Sequence, residues 1–306
     1  MRKQLVTKRL SLAALTLVCS IATATPSKAD SSAGARIDML DCAGLPCIML
    51  QLATGRPVKV LLDSGDATSL LDLGEAKALG LPLEPYKGHD GKLVPGYFTT
   101  TADDVKLGSL SLPPVRFLVI DLQKSIGNGT APPSNGFLSY LALKDRVVTL
   151  DYRRHRVTIS QTGAEVTAPH DAGTLTYPTF GQKGPPIVAT TGFGVNGKSI
   201  TVQVDTLYAG TLLIYPTSVG KLGLDAEAAE VKVRRFPFTD DGVDMIQGTA
   251  NDESFGNKTL KKNAALYFAT PKVHLPDGMF DGTVGGELFV GHSITFDFHA
   301  NRFWIG

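Results

Sequence analysis

The sequence predicts an all-β protein built from two copies of one module. Three observations carry that prediction. Short β-branched segments dominate, set apart by Gly, Pro, Asn and Asp. Val58-Lys59-Val60-Leu61-Leu62-Asp63-Ser64-Gly65 and Ile200-Thr201-Val202-Gln203-Val204-Asp205-Thr206 are apolar strands ending in Asp plus a hydroxyl residue, 142 positions apart. Finally, the register of that repeat extends far on either side of the aspartates.

Upstream, Gly55-Arg56 matches Gly197-Lys198, a turn with a cation before each strand. Downstream, Ser69-Leu70-Leu71 matches Thr211-Leu212-Leu213, and Leu79-Gly80-Leu81 matches Leu222-Gly223-Leu224 after one extra residue. Asn135-Gly136-Phe137-Leu138 matches Asp281-Gly282-Thr283-Val284. The copies also end alike: Val148–Tyr152 matches Ile294–Phe298, and Arg156–Ile159 matches Arg302–Ile305. Expected strands in the first copy are Cys47–Leu52, Val58–Leu62, Val105–Leu112, Val115–Leu122, Val147–Tyr152 and Val157–Ile159. In the second they are Ile187–Thr190, Ile200–Val204, Leu212–Tyr215, Ala265–Phe268, Ile294–Phe298 and Phe303–Ile305. Helical signals are brief, at Gly74–Leu79, Tyr140–Lys144 and Ala226–Val231. The polar stretch Thr162–Gly173 is the expected join, giving an N-terminal lobe over 30–165 and a C-terminal lobe over 166–306.

Residues 1–29 read as a signal peptide. Arg2, Lys3, Lys8 and Arg9 form a basic start, Leu10–Ala24 an apolar segment, and cleavage is expected after Ala24 or Ala29. The apolar segment is shorter than the ~20 residues a bilayer-spanning helix needs. The chain is therefore expected to be exported, periplasmic or extracellular, with no stable membrane anchor. Removing these residues leaves 277 (306 − 29) with 25 Lys+Arg against 29 Asp+Glu, and no basic stripe interleaved with aromatics, so nucleic acid is not an expected partner. Cys42 and Cys47 remain, closing a Gly/Pro-containing loop, and in an oxidising compartment they are expected to form a disulfide. No Cys/His spacing suits a metal, and no cofactor is expected.

If the two modules face each other about a two-fold axis, the strand ends meet and bring Asp63 to Asp205. Adjacent carboxylates share a proton, so one can deprotonate a water while the other polarises a carbonyl. Strand-terminal Asp-Ser/Thr can also simply cap a turn, and this is the reading preferred for Asp151 and Asp297. Asp103-Asp104 and Asp240-Asp241 read as exposed loops.

At these residues the sequence resembles the aspartic peptidases, in particular the bacterial relatives of the retropepsin and pepsin group. The resemblance implies a bilobal acid-protease-like fold, two similar β-barrel-like lobes with an active-site cleft between them. It implies Asp63 and Asp205 as the catalytic dyad, supported by Ser64, Gly65, Thr206, Ser69 and Thr211. A covering β-hairpin flap is expected within Leu93–Val105, around Gly96-Tyr97-Phe98, with Tyr97 as its aromatic. The implied activity is aspartic-type endopeptidase action on a peptide or unfolded protein, strongest at acidic pH, by a chain acting as a monomer. Three positions depart from the family pattern. Leu207 stands where the second motif has Gly and is expected to crowd the carboxylate, Asp66 adds a third acid, and Phe137-Leu138-Ser139 lacks the closing glycine that Gly285 supplies. The alternative these departures leave open is a catalytically weak or inactive pseudo-peptidase acting as a peptide-binding protein.

Overall fold

The computed structural model describes residues 34–306 apart from 43, 53–54, 89, 126–133, 162, 180–183, 225–229, 232–244 and 270–278. Residues 1–29, read above as a signal peptide, and Asp240-Asp241 lie outside the described residues, as does all of the expected helix Ala226–Val231 except Glu230–Val231, which is strand.

The first half opens with β1 (Ala35–Asp38) and a hairpin of β2 (Leu40–Cys42) and β3 (Leu45–Gln51). A Cys42–Cys47 disulfide staples that hairpin, with its Cα atoms 5.9 Å apart. β4 (Pro57–Asp63) pairs antiparallel with β3 and parallel with β11 (Gly136–Ser139), so both its edges are occupied. That explains why Val60-Leu61-Leu62 is a continuous buried run rather than an alternation. β5 (Ser69–Asp72) runs into α1 (Leu73–Ala78), where the Asp72 carboxylate accepts the N–H of Gly74 (2.8 Å) and Glu75 (3.1 Å), the side-chain cap that starts the helix. A hairpin of β6 (Glu84–Lys87) and β7 (Leu93–Ala102) follows, then β8 (Lys106–Leu107), β9 (Leu110–Ser111), β10 (Val115–Ile120), the short α2 (Leu122–Ser125) and β11. The single strand expected over Val105–Leu112 is instead a tight hairpin, because Gly108 takes a left-handed φ of 58° between two-residue strands. β12 (Val147–Asp151) and β13 (Arg156–Ile159) close this half.

The second half repeats these connections. After β14 (Gly173–Thr176) come β15 (Ala189–Val195), β16 (Lys198–Val204) and β17 (Leu212–Ile214). Next is α3 (Pro216–Leu222), the counterpart of α1, with Pro216 in its first turn and Gly223 as a left-handed cap. β18 (Glu230–Val231), β19 (Met245–Phe255), β20 (Lys258–Ala269), β21 (Gly282–Val284), α4 (Gly286–Phe289), β22 (Ser293–Asp297) and β23 (Arg302–Ile305) complete the chain. β16 pairs parallel with β21 and β17 pairs antiparallel with it, as β4 and β5 do with β11. Six strands, β15-β16-β21-β17-β20-β19, close into a barrel through the β15–β19 pairing. Phe193, Phe255, Phe303 and Phe296 pack beside it, with successive ring centroids 5.0, 5.4 and 5.1 Å apart. Most of the β19–β20 ribbon was not legible beforehand, because Asn251-Asp252-Glu253-Ser254 hides a strand behind polar residues.

The halves meet through strands β1-β13-β12-β22-β23-β14 in one continuous sheet. At its centre Thr149 lies opposite Thr295, their Oγ1 atoms 2.9 Å apart. These two threonines occupy the same place in the repeat, so the contact is of an element with its own copy, as a two-fold axis requires. Replacing Cys42 and Cys47 by Ser should lower stability by about 2 kcal/mol, the chain-entropy figure for so short a loop. Denaturant unfolding of the double variant checks this.

Candidate active site

Each aspartate sits where a strand leaves the sheet. Asp63 ends β4, opposite Ser139 of β11, and the Asp205 N–H bonds the carbonyl of Val284 (3.0 Å) at the end of β21. In each copy the following turn folds back onto the carboxylate. Asp63 Oδ1 accepts the N–H of Gly65 (2.8 Å) and Asp66 (3.2 Å), and Asp205 Oδ1 accepts the N–H of Leu207 (2.8 Å) and Tyr208 (3.1 Å). Among the described residues neither Oδ2 has a hydrogen-bond partner, which leaves one oxygen of each aspartate for water or ligand.

The hydroxyl residues tie the two turns together reciprocally. Ser64 N–H donates to Thr206 Oγ1 (3.0 Å), and Thr206 N–H donates to Ser64 Oγ (3.1 Å). Thr206 Oγ1 in turn donates to the Leu62 carbonyl (2.6 Å), and Ser64 Oγ to the Val204 carbonyl (2.7 Å). All four bonds are buried, where a satisfied polar network fixes one geometry and an unsatisfied one is costly. Gly65 lies against Asp205. A Cβ there would stand 2.6 and 2.7 Å from the two Asp205 carboxylate oxygens, so space, not backbone conformation, demands glycine. Gly65→Ala should therefore cost about 1–3 kcal/mol of stability as an over-packed site, and displace Asp205. Thermal melts alongside peptide turnover check it, both being expected to fall.

Leu207 does not do what the sequence suggested. Its side chain leaves its N–H in place, donating to Asp205 at the same 2.8 Å as Gly65 donates to Asp63. The side chain packs instead on an apolar cluster formed by Cys42, Cys47, Leu61, Ile120, Leu122 and Phe137. Ser139 likewise replaces a glycine without conflict, its Oγ donating to the Ala67 carbonyl (3.1 Å) and its N–H to Ser69 Oγ (3.1 Å). Gly285 has no such freedom, because a Cβ there would strike the carbonyl oxygens of Tyr208 and Gly210. Ser69 reaches the site at one remove, through the Ser139 N–H, whereas Thr211 Oγ1 donates to the Ala265 carbonyl (2.7 Å); among the described residues neither hydroxyl bonds a carboxylate of the pair.

The hairpin that carries Tyr97 is longer and earlier than the sequence indicated, with strands Glu84–Lys87 and Leu93–Ala102. Gly96-Tyr97-Phe98 lies along β7 and not at the tip, with Gly96 at φ 82°. Tyr97 packs on the same apolar cluster as Leu207, and its ring centroid lies 6.5 Å from that of Tyr86.

Electrostatics follow from burial. Asp63, 8% exposed, is held well above the ordinary carboxyl range, first by burial, then by the charges of Asp205 and Asp66. Burial likewise pushes Asp205 up to about 6, partly opposed by its two N–H donors and raised further by Asp66. Asp66 itself is exposed, so it reaches the pair through its field. Two carboxyls so placed retain a shared proton to higher pH than isolated ones.

Gln203 is a residue the sequence reading missed. Its Nε2 donates to the Gly65 carbonyl (3.1 Å), and its Oε1 accepts from Thr283 Oγ1 (3.1 Å), which lies 2.6 Å from the Tyr215 hydroxyl. The signal was present: Gln203 takes the repeat position of Leu61, a polar residue in an otherwise apolar strand. Asp151 and Asp297 cap local turns, accepting from Arg153 and Arg154 and from Ala300 respectively, and Asp103 and Asp104 are exposed. Among the described residues no group of three His, Cys, Asp or Glu side chains is placed to hold a metal.

Residues 48–140 match a protein-family model described as aspartyl protease. The match spans less than a third of the chain; it includes Asp63 and the hairpin and stops before Asp205. It supports an aspartyl protease family, and with it a peptidase acting on peptide substrates. No curated protein sequence matches the chain.

Proposed function

We propose that the protein is an exported aspartic-type endopeptidase, with lobes over 30–165 and 166–306 and Asp63 and Asp205 as its catalytic pair. The observation that carries this reading is the reciprocal Ser64–Thr206 exchange, which ties together two aspartates from equivalent strand ends. In the singly protonated pair, the ionised carboxylate takes a proton from a water as the water oxygen bonds the scissile carbonyl carbon. The protonated carboxyl donates to the carbonyl oxygen, giving a neutral tetrahedral diol. Proton return to the amide nitrogen then breaks the C–N bond, releasing an acid and an amine with no covalent enzyme adduct. The stapled Cys42–Cys47 hairpin accords with an oxidising, periplasmic or extracellular setting.

The pseudo-peptidase alternative rests on Leu207, Asp66 and the glycine missing at Ser139; Leu207 keeps its N–H bonded to Asp205, whereas Asp66 does raise the proton affinity of both carboxyls. The test is hydrolysis of an unfolded protein from about pH 3 to about pH 8, with and without a statine-type mimic of the diol. Cleavage blocked by the mimic is expected; tight binding of the mimic without any cleavage would leave a binding cleft and remove the peptidase.

A further inference from the structure

A cavity of about 640 Å³ opens beside the aspartates without including them. Ala67, Thr68 and Ser69, on the segment just after Asp63, line it, as does Ser139, the cross-strand neighbour of Asp63. Tyr86 and Thr99 of the β6–β7 hairpin line it too, so the cavity lies between that hairpin and the segment that follows Asp63.

Its charge is lopsided. Arg116, Lys144 and Arg146 contribute three cations to the lining, against the single carboxylate of Asp145. Arg116 and Lys144 are exposed, and neither is in an ion pair among the described residues. Arg146 is 5% exposed and spends its guanidinium on neutral carbonyls, those of Ser160 (3.0 Å) and Ser111 (3.4 Å). Asp145 offsets the Arg146 charge in part, which leaves Arg116 and Lys144 as the cavity's surplus, and a concave site with a surplus of one sign focuses that field on whatever enters. The hydroxyls of Thr68, Ser69 and Thr99 add hydrogen-bonding capacity to the same walls.

We propose that this cavity is a specificity subsite for an acidic side chain of the peptide, so that cleavage is favoured where Asp or Glu stands at one fixed position near the scissile bond. The proposal rests on the reading of Asp63 and Asp205 as a peptidase site, and it deepens that reading by naming the substrate class. The carboxylate enters beside Arg116 and Lys144 and lies within the field of Arg146; a Gln of the same shape gains the hydrogen bonds but not the charge.

The experiment uses labelled decapeptides in which one Glu is scanned along a neutral frame, each paired with its Gln counterpart. With the wild-type chain, one Glu position should raise kcat/KM over Gln by about ten-fold, the scale of two partly screened ion pairs. The difference should appear in KM and shrink as salt is raised. In the double variant Arg116→Gln/Lys144→Gln the ratio should fall towards one. The same peptides are titrated by anisotropy against Asp63→Asn, in which binding is read without turnover. If nothing is cleaved yet Glu still binds more tightly than Gln, and Arg116→Gln/Lys144→Gln removes the difference, the peptidase fails and the subsite stands. Equal handling of Glu and Gln, a preference that survives the double variant, or no peptide binding at all overturns the subsite.

Discussion

Asp63→Asn and Asp205→Asn should each lower kcat for peptide hydrolysis by about two to four orders of magnitude, the range that general acid–base catalysis supplies. Asn keeps the shape and still accepts the turn N–H groups at its side-chain oxygen, from Gly65 and Asp66 or from Leu207 and Tyr208. What it cannot do is accept the proton of a water. The fold should survive, because burial already disfavours both charges. A group whose folded pKa is raised adds stability below its unfolded pKa and loses it as pH climbs through the folded value. Either Asn variant should therefore melt no lower than wild type at neutral pH. In the wild type the acid limb of the pH–kcat/KM profile should have its midpoint near 6, where the pair gives up its first proton. Burial and Asp66 both hold that proton on. Kinetics on the two variants and a wild-type pH profile check these outcomes; turnover persisting in both variants would remove the pair from the chemistry.

Glu253→Gln should stabilise the protein at alkaline pH and change little near pH 5. Glu253 lies in β19, 1% exposed, with neither carboxylate oxygen hydrogen-bonded. Burial pushes its pKa up to about 7, opposed by Lys261 across the ladder and reinforced by Glu287. Lys261 is itself shared with Glu287, at 3.9 Å, so it compensates Glu253 incompletely. In the unfolded chain the group ionises near 4.5, so the folded state holds an extra proton between about 4.5 and about 7. Stability therefore falls as pH rises through that window, by a total on the order of 3 kcal/mol. Gln cannot ionise and escapes that loss. Comparing Tm of wild type and variant at pH 5 and pH 8 should show a gap of roughly 5–10 °C at pH 8 only. Equal melting of the two proteins at both pH values would place Glu253 in contact with water.

The repeat by itself determined most of the topology. Residues equivalent in sequence turned out to touch each other, Ser64 with Thr206 and Thr149 with Thr295, because a two-fold axis brings like to like. The aspartates, their hydroxyl neighbours and the disulfide were legible for the same reason: each is a short pattern whose chemistry is local. Elements lacking local pattern were not. The β19–β20 ribbon draws its stability from barrel closure, so its polar strand gave no periodic signal. The hairpin of β6 and β7 was set too late, because Gly96 reads as a turn and is a kink within a strand.

Only the tertiary structure decided what the departures from the family pattern mean. Whether a side chain crowds a carboxylate depends on where its Cβ points. Leu207 points into an apolar cluster and leaves its N–H bonded, whereas a Cβ at Gly65 would meet Asp205. Gln203 and Glu253 mattered for the same reason, since burial and partners are properties of neighbours far off in the chain. Sequence set which carboxyls stand at the two equivalent strand ends; packing across the two-fold axis set their solvation and hence their proton affinity.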